Sequence, residues 1–307
     1  MQQQAPAAAT AAKRGIRVYL DYTQSELDAA YDQAAFAPNL QQLQDRRVAG
    51  SEAVRQRLGG PERFAYGESE IEKLDVFRTR RPNAPVFVFI HGGAWRNGVA
   101  KDHSYAAETF VLAGITYVVP DFALVQDVGR SLLPMADQVR RAIAWTYKNA
   151  ERFGGDKARF YIGGHSSGAH LAGCALIADW DKDYGVPGDF IKGATLCSGM
   201  YDLAPVRLSA RSQYVNFTDD MVERLSAIRH IDKIKAPITV LYGTKETPEF
   251  QRQSRDFAAA VKAAGKQVEL LVGQHYNHFE MGETFANPFG LCGRAALDQI
   301  GVKLTPA

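Results

Sequence analysis

The pentapeptide Gly164-His165-Ser166-Ser167-Gly168 constrains this chain more than any other stretch, because it lies between a β-rich run, Ala158 to Ile162, and a helical pattern beginning near Ala169. A serine at so sharp a strand-to-helix turn is forced into a strained backbone conformation that exposes its Oγ. The flanking glycines are needed because a side chain at either would strike the neighbouring strand or helix. Two phosphate-binding readings compete for the same glycines. A phosphate-binding loop continues with Lys and then Ser or Thr, whereas Ala169 and His170 follow here. The dinucleotide fingerprint fails as well, since Ser166 stands where its second glycine belongs.

Around this turn the chain alternates short apolar runs with helical periodicity. Lys73 to Thr79 and Pro85 to Ile90 read as strands, the second as one buried on both faces, and further runs follow at Ile115–Val119, Phe160–Ile162, Gly193–Cys197, Ile238–Tyr242 and Val268–Val272. Such alternation predicts an α/β fold with a mostly parallel, doubly wound sheet whose binding crevice lies beyond the carboxyl ends of its strands. Thr23-Gln-Ser-Glu26 is a capping box followed by Leu27, Ala30, Tyr31 and Ala34 at helical spacing, so a helical segment precedes the sheet. The stretch 202–229 breaks the rhythm and is read as a lid-like excursion over the site, with an ordinary surface helix and loop as the alternative.

A chain of 307 residues, 46% of them apolar, can bury one large core, and a single catalytic domain over residues 16–307 is expected. Lys and Arg number 36 against 34 Asp and Glu, so a formal charge of +2 points to neither a nucleic-acid partner nor an acidic membrane surface. No apolar run approaches the roughly 18 residues of a membrane span. Cys174, Cys197 and Cys292 are too few and too scattered for a disulfide framework and read as buried thiols. The Ala/Gln-rich start, residues 1–15, reads as a disordered tail without an intact signal peptide. A cytoplasmic location follows from that reading, with a trimmed export signal left open. The partner expected is a small molecule, and a homodimer is compatible with the same reading.

Nucleophilic catalysis by serine needs a base, a carboxylate to orient it and donors for the oxyanion. Ser166 is the candidate nucleophile, and the acid and histidine are expected later in the chain, after strands. Glu246 follows the run Ile238–Tyr242 and is preferred as the acid over Glu249, which suits the first turn of a helix after Pro248, and over Asp202. His275 and His278 both follow Val268–Val272, and either fits the base by position; their H-x-x-H spacing is weak evidence for a metal, and no metal or cofactor is expected. His91-Gly-Gly-Ala-Trp95 directly after Pro85–Ile90 suits an oxyanion loop, with Gly93 and Ala94 as donors beside the N–H of Ser167. Trp95 and Tyr201, each just beyond a strand, are candidate walls of an aromatic pocket, with packing beneath the lid as the alternative.

Four segments carry a family resemblance: His91-Gly-Gly-Ala-Trp95, Gly164-His-Ser-Ser-Gly-Ala-His-Leu171, Thr247-Pro-Glu-Phe-Gln-Arg-Gln-Ser254 and Asn277-His-Phe279. Through them the chain resembles the α/β-hydrolase superfamily, and more closely the arylformamidase (kynurenine formamidase)-like serine hydrolases. Esterases of the hormone-sensitive-lipase type are also similar, but they usually have Asp before the nucleophile and a third glycine in the oxyanion loop, where this chain has His165 and Ala94. The resemblance implies Ser166 as nucleophile, His278 rather than His275 as base, Glu246 as acid, and an aryl formamide, aryl amide or short-chain ester as substrate. Two positions depart from the family pattern. Glu246 stands where Asp is usual, and Ser167 where Ala is common. A ligand receptor on the same fold is the competing class, although no triad residue is missing.

Overall fold

The computed structural model describes residues 15–302, so the tail expected over residues 1–15 falls, but for Gly15, outside the described residues. An eight-stranded sheet runs through the molecule: β1 (Glu62–Ala65), β2 (Lys73–Phe77), β3 (Ala84–Ile90), β4 (Thr116–Pro120), β5 (Gly155–His165), β6 (Ile191–Cys197), β7 (Ile238–Gly243) and β8 (Val268–Gly273). Their spatial order is β8-β7-β6-β5-β3-β4-β2-β1. Pairing is antiparallel between β1 and β2 and between β2 and β4, and parallel from β4 through β3 to β8. All seven strands expected from the apolar runs are present. Strand β1, with mostly exposed residues, and the helix Leu40–Arg57, which buries only Leu43, Ser51 and Val54, are additions.

Side chains alternate across a strand, so a central strand must be apolar on both faces. Strand β3 shows the consequence: Val86, Val88 and Ile90 enter one core layer, Phe87 and Phe89 the other. The first layer is closed by helices Leu132–Asn149, Ser167–Leu176 and Pro248–Ala263, the second by Ala107–Leu112 and Leu291–Ile300. In Leu132–Asn149 the buried Leu132, Met135, Ala136, Val139 and Ile143 recur at helical spacing, and Ser131 caps the helix by accepting the Leu133 N–H at 3.3 Å.

The chain leaves β3 for β4 on one side and later returns to β5 on the other. That reversal opens a crevice at the carboxyl ends of β3 and β5, the usual place for a ligand in an open α/β sheet.

Candidate active site

Strand β5 ends at His165, and the helix Ser167–Leu176 begins one residue after Ser166. Ser166 takes φ 60° and ψ −126°, the strained conformation required of an elbow. A Cβ on Gly164 would lie 2.6 Å from the backbone of Gly168, and one on Gly168 would lie 2.1 Å from the Ile90 carbonyl oxygen. Both glycines are therefore demanded by the neighbouring helix and strand. The Ser166 Oγ points at His278 Nε2, 2.8 Å away, and His278 Nδ1 is 2.7 Å from Glu246 Oε2. All three side chains are buried, yet Ser166 and His278 border an open cleft of about 600 Å³.

Glu246 is held from several directions. Its Oε1 accepts from Ser198 Oγ and from the Gly243 N–H, both at 2.6 Å, and Oε2 is 3.5 Å from Gln33 Nε2. The extra methylene of Glu is thus taken up by curling the side chain back over the end of β7. The loops carrying Glu246 and His278 are also stitched together, since the N–H groups of Thr244 and Lys245 donate to the carbonyls of Gly273 and Tyr276. His278 opens a short helix, His278–Glu283, and a capping box between Asn277 and Glu280 fixes its start. The rings of Phe250 and Phe279 meet His278 edge-on at 4.9 and 5.3 Å.

The loop after β3 is strained at consecutive residues: Gly93, Ala94 and Trp95 have φ of 126°, 54° and 63°. The N–H groups of Gly93 and Ala94 have no acceptor among the described residues, and that of Ser167, at the first position of its helix, has none within the helix. Three donors are thus left over around Ser166. Such strain persists only where the surroundings impose it. Here the Trp95 N–H donates to Ser167 Oγ at 3.2 Å, its indole Nε1 donates to His170 Nδ1 at 3.2 Å, and its carbonyl accepts from Val125. The hydroxyl that distinguishes Ser167 from the usual Ala therefore anchors this loop.

Both histidines of the extended motif are ties. Burial pushes His170 down to about 4, and the neutral ring donates from Nε2 to the Leu225 carbonyl at 3.0 Å. Burial, and then the proximity of His278, hold His165 well below the ordinary imidazole range; its Nε2 donates to the His278 carbonyl at 2.8 Å. One ring ties the loop 91–95 to the 202–229 excursion, the other ties the loop carrying His278 to the turn at Ser166.

The aromatic-pocket expectation requires correction. Trp95 and Tyr201 are each 1% exposed, and neither lines the cleft. Trp95 turns inward onto His170, and Tyr201 stacks on Phe257 at 4.2 Å. Asp202 makes no hydrogen bond or ion pair with His278 and caps the helix Leu203–Leu208. Glu249 is buried in the first turn of Pro248–Ala263 against Arg252. His275 is exposed, and among the described residues no group of three His, Cys, Asp or Glu side chains could hold a metal. The 202–229 excursion folds into two short helices and 3₁₀ turns, and its Arg211 and Tyr214 form part of the cleft wall.

Sequence reasoning missed Ser198, Gln33 and the whole contribution of residues 28–47 to that wall. The one available signal was the capping box at Thr23, which announces a helix but not where it docks.

These arrangements can be set beside known proteins. The BD-FAE family model matches residues 74–186. The kynurenine formamidase of Danio rerio is 33% identical over 250 residues, covering 77% of this chain and 80% of that protein. Esterase LipC of Mycobacterium tuberculosis is 29% identical over 226 residues, which are 68% of this chain and 54% of that protein. Among solved structures, the propionate-bound esterase Est2 of Thermogutta terrifontis superposes with a TM-score of 0.66 over 81% of this chain and 98% of that one; at 21% identity it speaks for the fold alone. A strand order, an elbow and a formamidase-like sequence that extend together over most of the chain lead to one conclusion: it belongs to the α/β-hydrolase family of the kynurenine formamidases and their esterase relatives.

Proposed function

We propose that the protein is a serine hydrolase that cleaves an aryl formamide, aryl amide or short-chain ester through an acyl-Ser166 intermediate. The observation that carries this reading is the unbroken hydrogen-bonded chain Ser166–His278–Glu246 at the edge of an open cleft. His278 Nε2 takes the Ser166 proton as Oγ attacks the carbonyl carbon, and Glu246 stabilises the imidazolium that forms. The developing oxyanion is received by the N–H groups of Gly93, Ala94 and Ser167. His278 then returns the proton to the departing amine or alkoxide and activates the water that releases the acid.

The formamidase relative supports the aryl formamide as substrate. The esterase relative supports a carboxylesterase as the second reading, and a panel of N-formylkynurenine, anilides and p-nitrophenyl esters of increasing acyl length separates the two. For the mechanism itself, Ser166→Ala is expected to lower turnover by roughly 10⁶. An organophosphate should label Ser166 in the unaltered protein. Near-normal hydrolysis by the variant would overturn the assignment, and absence of labelling would favour a ligand receptor.

A further inference from the structure

Three guanidinium groups, those of Arg47, Arg96 and Arg211, line the cleft that holds Ser166 and His278, and none has a carboxylate partner among the described residues. Arg211 is the most firmly held. Its Nη1 donates to the Tyr214 hydroxyl at 2.7 Å and its Nη2 to the Tyr31 carbonyl at 3.1 Å. The rings of Trp95, Phe250 and Tyr31 surround its Cζ at 5.5, 5.9 and 6.0 Å. Arg96 lies 4.6 Å over the face of the same Tyr214. One tyrosine therefore takes a cation on its face and another on its hydroxyl.

Aromatic faces and neutral oxygens attract a guanidinium but do not neutralise it. Two like charges sharing one ring repel each other, and an anion entering between them relieves that repulsion. The carboxylates on the same wall, Asp28 and Asp32, form no ion pair with any of the three guanidinium groups. Asp28 accepts from Gln24 Nε2 and the Ala210 N–H, and Asp32 accepts from the Ala34 N–H. Each Nη of Arg211 keeps one further N–H, enough for an end-on, two-bond grip on a carboxylate. Phe250, one of the rings around Arg211, also meets the ring of His278, so a single aromatic side chain separates this cation from the base.

Building on the serine-hydrolase reading, we propose that the cleft selects substrates bearing a carboxylate about one aromatic ring's width from the reacting carbonyl, and that Arg211, backed by Arg96, is the residue that selects them. The arrangement favours an aryl ester or aryl amide with an acidic substituent over its uncharged counterpart.

A matched pair tests it: 4-acetoxybenzoate and 4-acetoxybenzamide, which differ in charge at the far side of the ring from the ester. At low ionic strength kcat/KM should favour the carboxylate by about tenfold or more, the scale of one charge-assisted hydrogen bond. Added salt should shrink the advantage. Arg211→Met should bring the ratio of the two substrates close to one. Equal kcat/KM for both substrates in the unaltered protein, or an unchanged ratio in Arg211→Met, would overturn the proposal while leaving the hydrolase reading intact. Binding supplies a measurement that needs neither turnover nor that variant. Ser166→Ala should bind 4-hydroxybenzoate about tenfold more tightly than 4-hydroxybenzamide in calorimetry, and equal or absent binding of the two would equally overturn it. If neither ester were turned over, the calorimetric comparison alone would decide the carboxylate site.

Discussion

Ser198 lies outside the proposed triad yet holds one end of it. It follows β6, adopts φ 56°, and gives its hydroxyl proton to Glu246 Oε1 at 2.6 Å. With the Gly243 N–H on the same oxygen, it leaves Oε2 to face His278. Ser198→Ala removes one hydrogen bond to a buried charge, worth about 1.5–3 kcal/mol, so kcat is expected to fall by about ten- to a hundredfold with little change in KM. Glu246→Gln removes the orienting charge itself and should cost roughly 10⁴ in kcat. Asp202→Asn, which keeps a capping oxygen at the start of its helix, should stay within about twofold of normal. Steady-state kinetics on the three variants checks the assignment; a larger loss in Asp202→Asn than in Glu246→Gln would reassign the acid.

Among the elements, the N-terminal segment is the one whose role departs most from its sequence appearance. Gln33 accepts the Thr247 N–H at 3.2 Å and donates to the Thr247 hydroxyl at 3.2 Å, beside the acid. The Tyr31 hydroxyl donates to Glu249 at 3.0 Å and accepts from Gln253 at 2.8 Å. Asn39 donates to Glu280 at 2.8 Å and accepts from Asn277 at 2.9 Å, just before the base. Gln33→Ala leaves a buried N–H without its acceptor and is expected to destabilise the protein by about 1–3 kcal/mol and to lower kcat, read by urea midpoint and kinetics. Gln41, which donates to Asp45 at 2.8 Å on an exposed helix face, offers the control: Gln41→Ala should move neither by more than about 0.5 kcal/mol. The central strands were legible because burial on both faces forces continuous apolar runs, and the elbow because its demands are local. The helix Leu40–Arg57 was not, since a polar sequence with three buried residues carries no stripe. Gln33 and Ser198 lie 213 and 48 residues from the acid, a proximity that only tertiary folding creates. Trp95 and Tyr201 were placed near the right strand ends, but position along a strand does not say which way a ring turns once the following backbone enters a left-handed conformation, as it does at Trp95 and at Ser198.

For the molecule as a whole, the histidines set the acid limit of stability. Burial holds His91 and His103 below the ordinary imidazole value and His170 at about 4, and each is neutral and almost fully buried. His165 is lowered too, although its ring reaches the cleft and is partly accessible, so it contributes less. In the unfolded chain all four titrate near 6.5. Their folded pKa values are depressed, so the unfolded state binds more protons between about 6.5 and 4, and stability falls as pH falls through that window. Each deeply buried ring contributes up to about 1.4 kcal/mol per pH unit. Carboxylates act later. Hydrogen bonds from Ser69 and the charge of Arg141 lower Glu72, Arg57 lowers Glu108, and Arg159 lowers Asp156, so what they contribute is lost only at and below the usual carboxylate range. Against a total of about 5–15 kcal/mol for a folded domain, three such rings remove a large share of the stability as the pH falls through that window. The urea midpoint should therefore be flat above about pH 7 and drop steeply from pH 6.5 downward. His170→Gln, which can keep an acceptor for the Trp95 indole and a donor for the Leu225 carbonyl without titrating, should make that drop shallower by about one proton's worth. A midpoint that stayed constant down to pH 5 would show that these rings are charged or solvated in the native protein, and with that the bracing of the elbow and the oxyanion loop by neutral histidines would have to be abandoned.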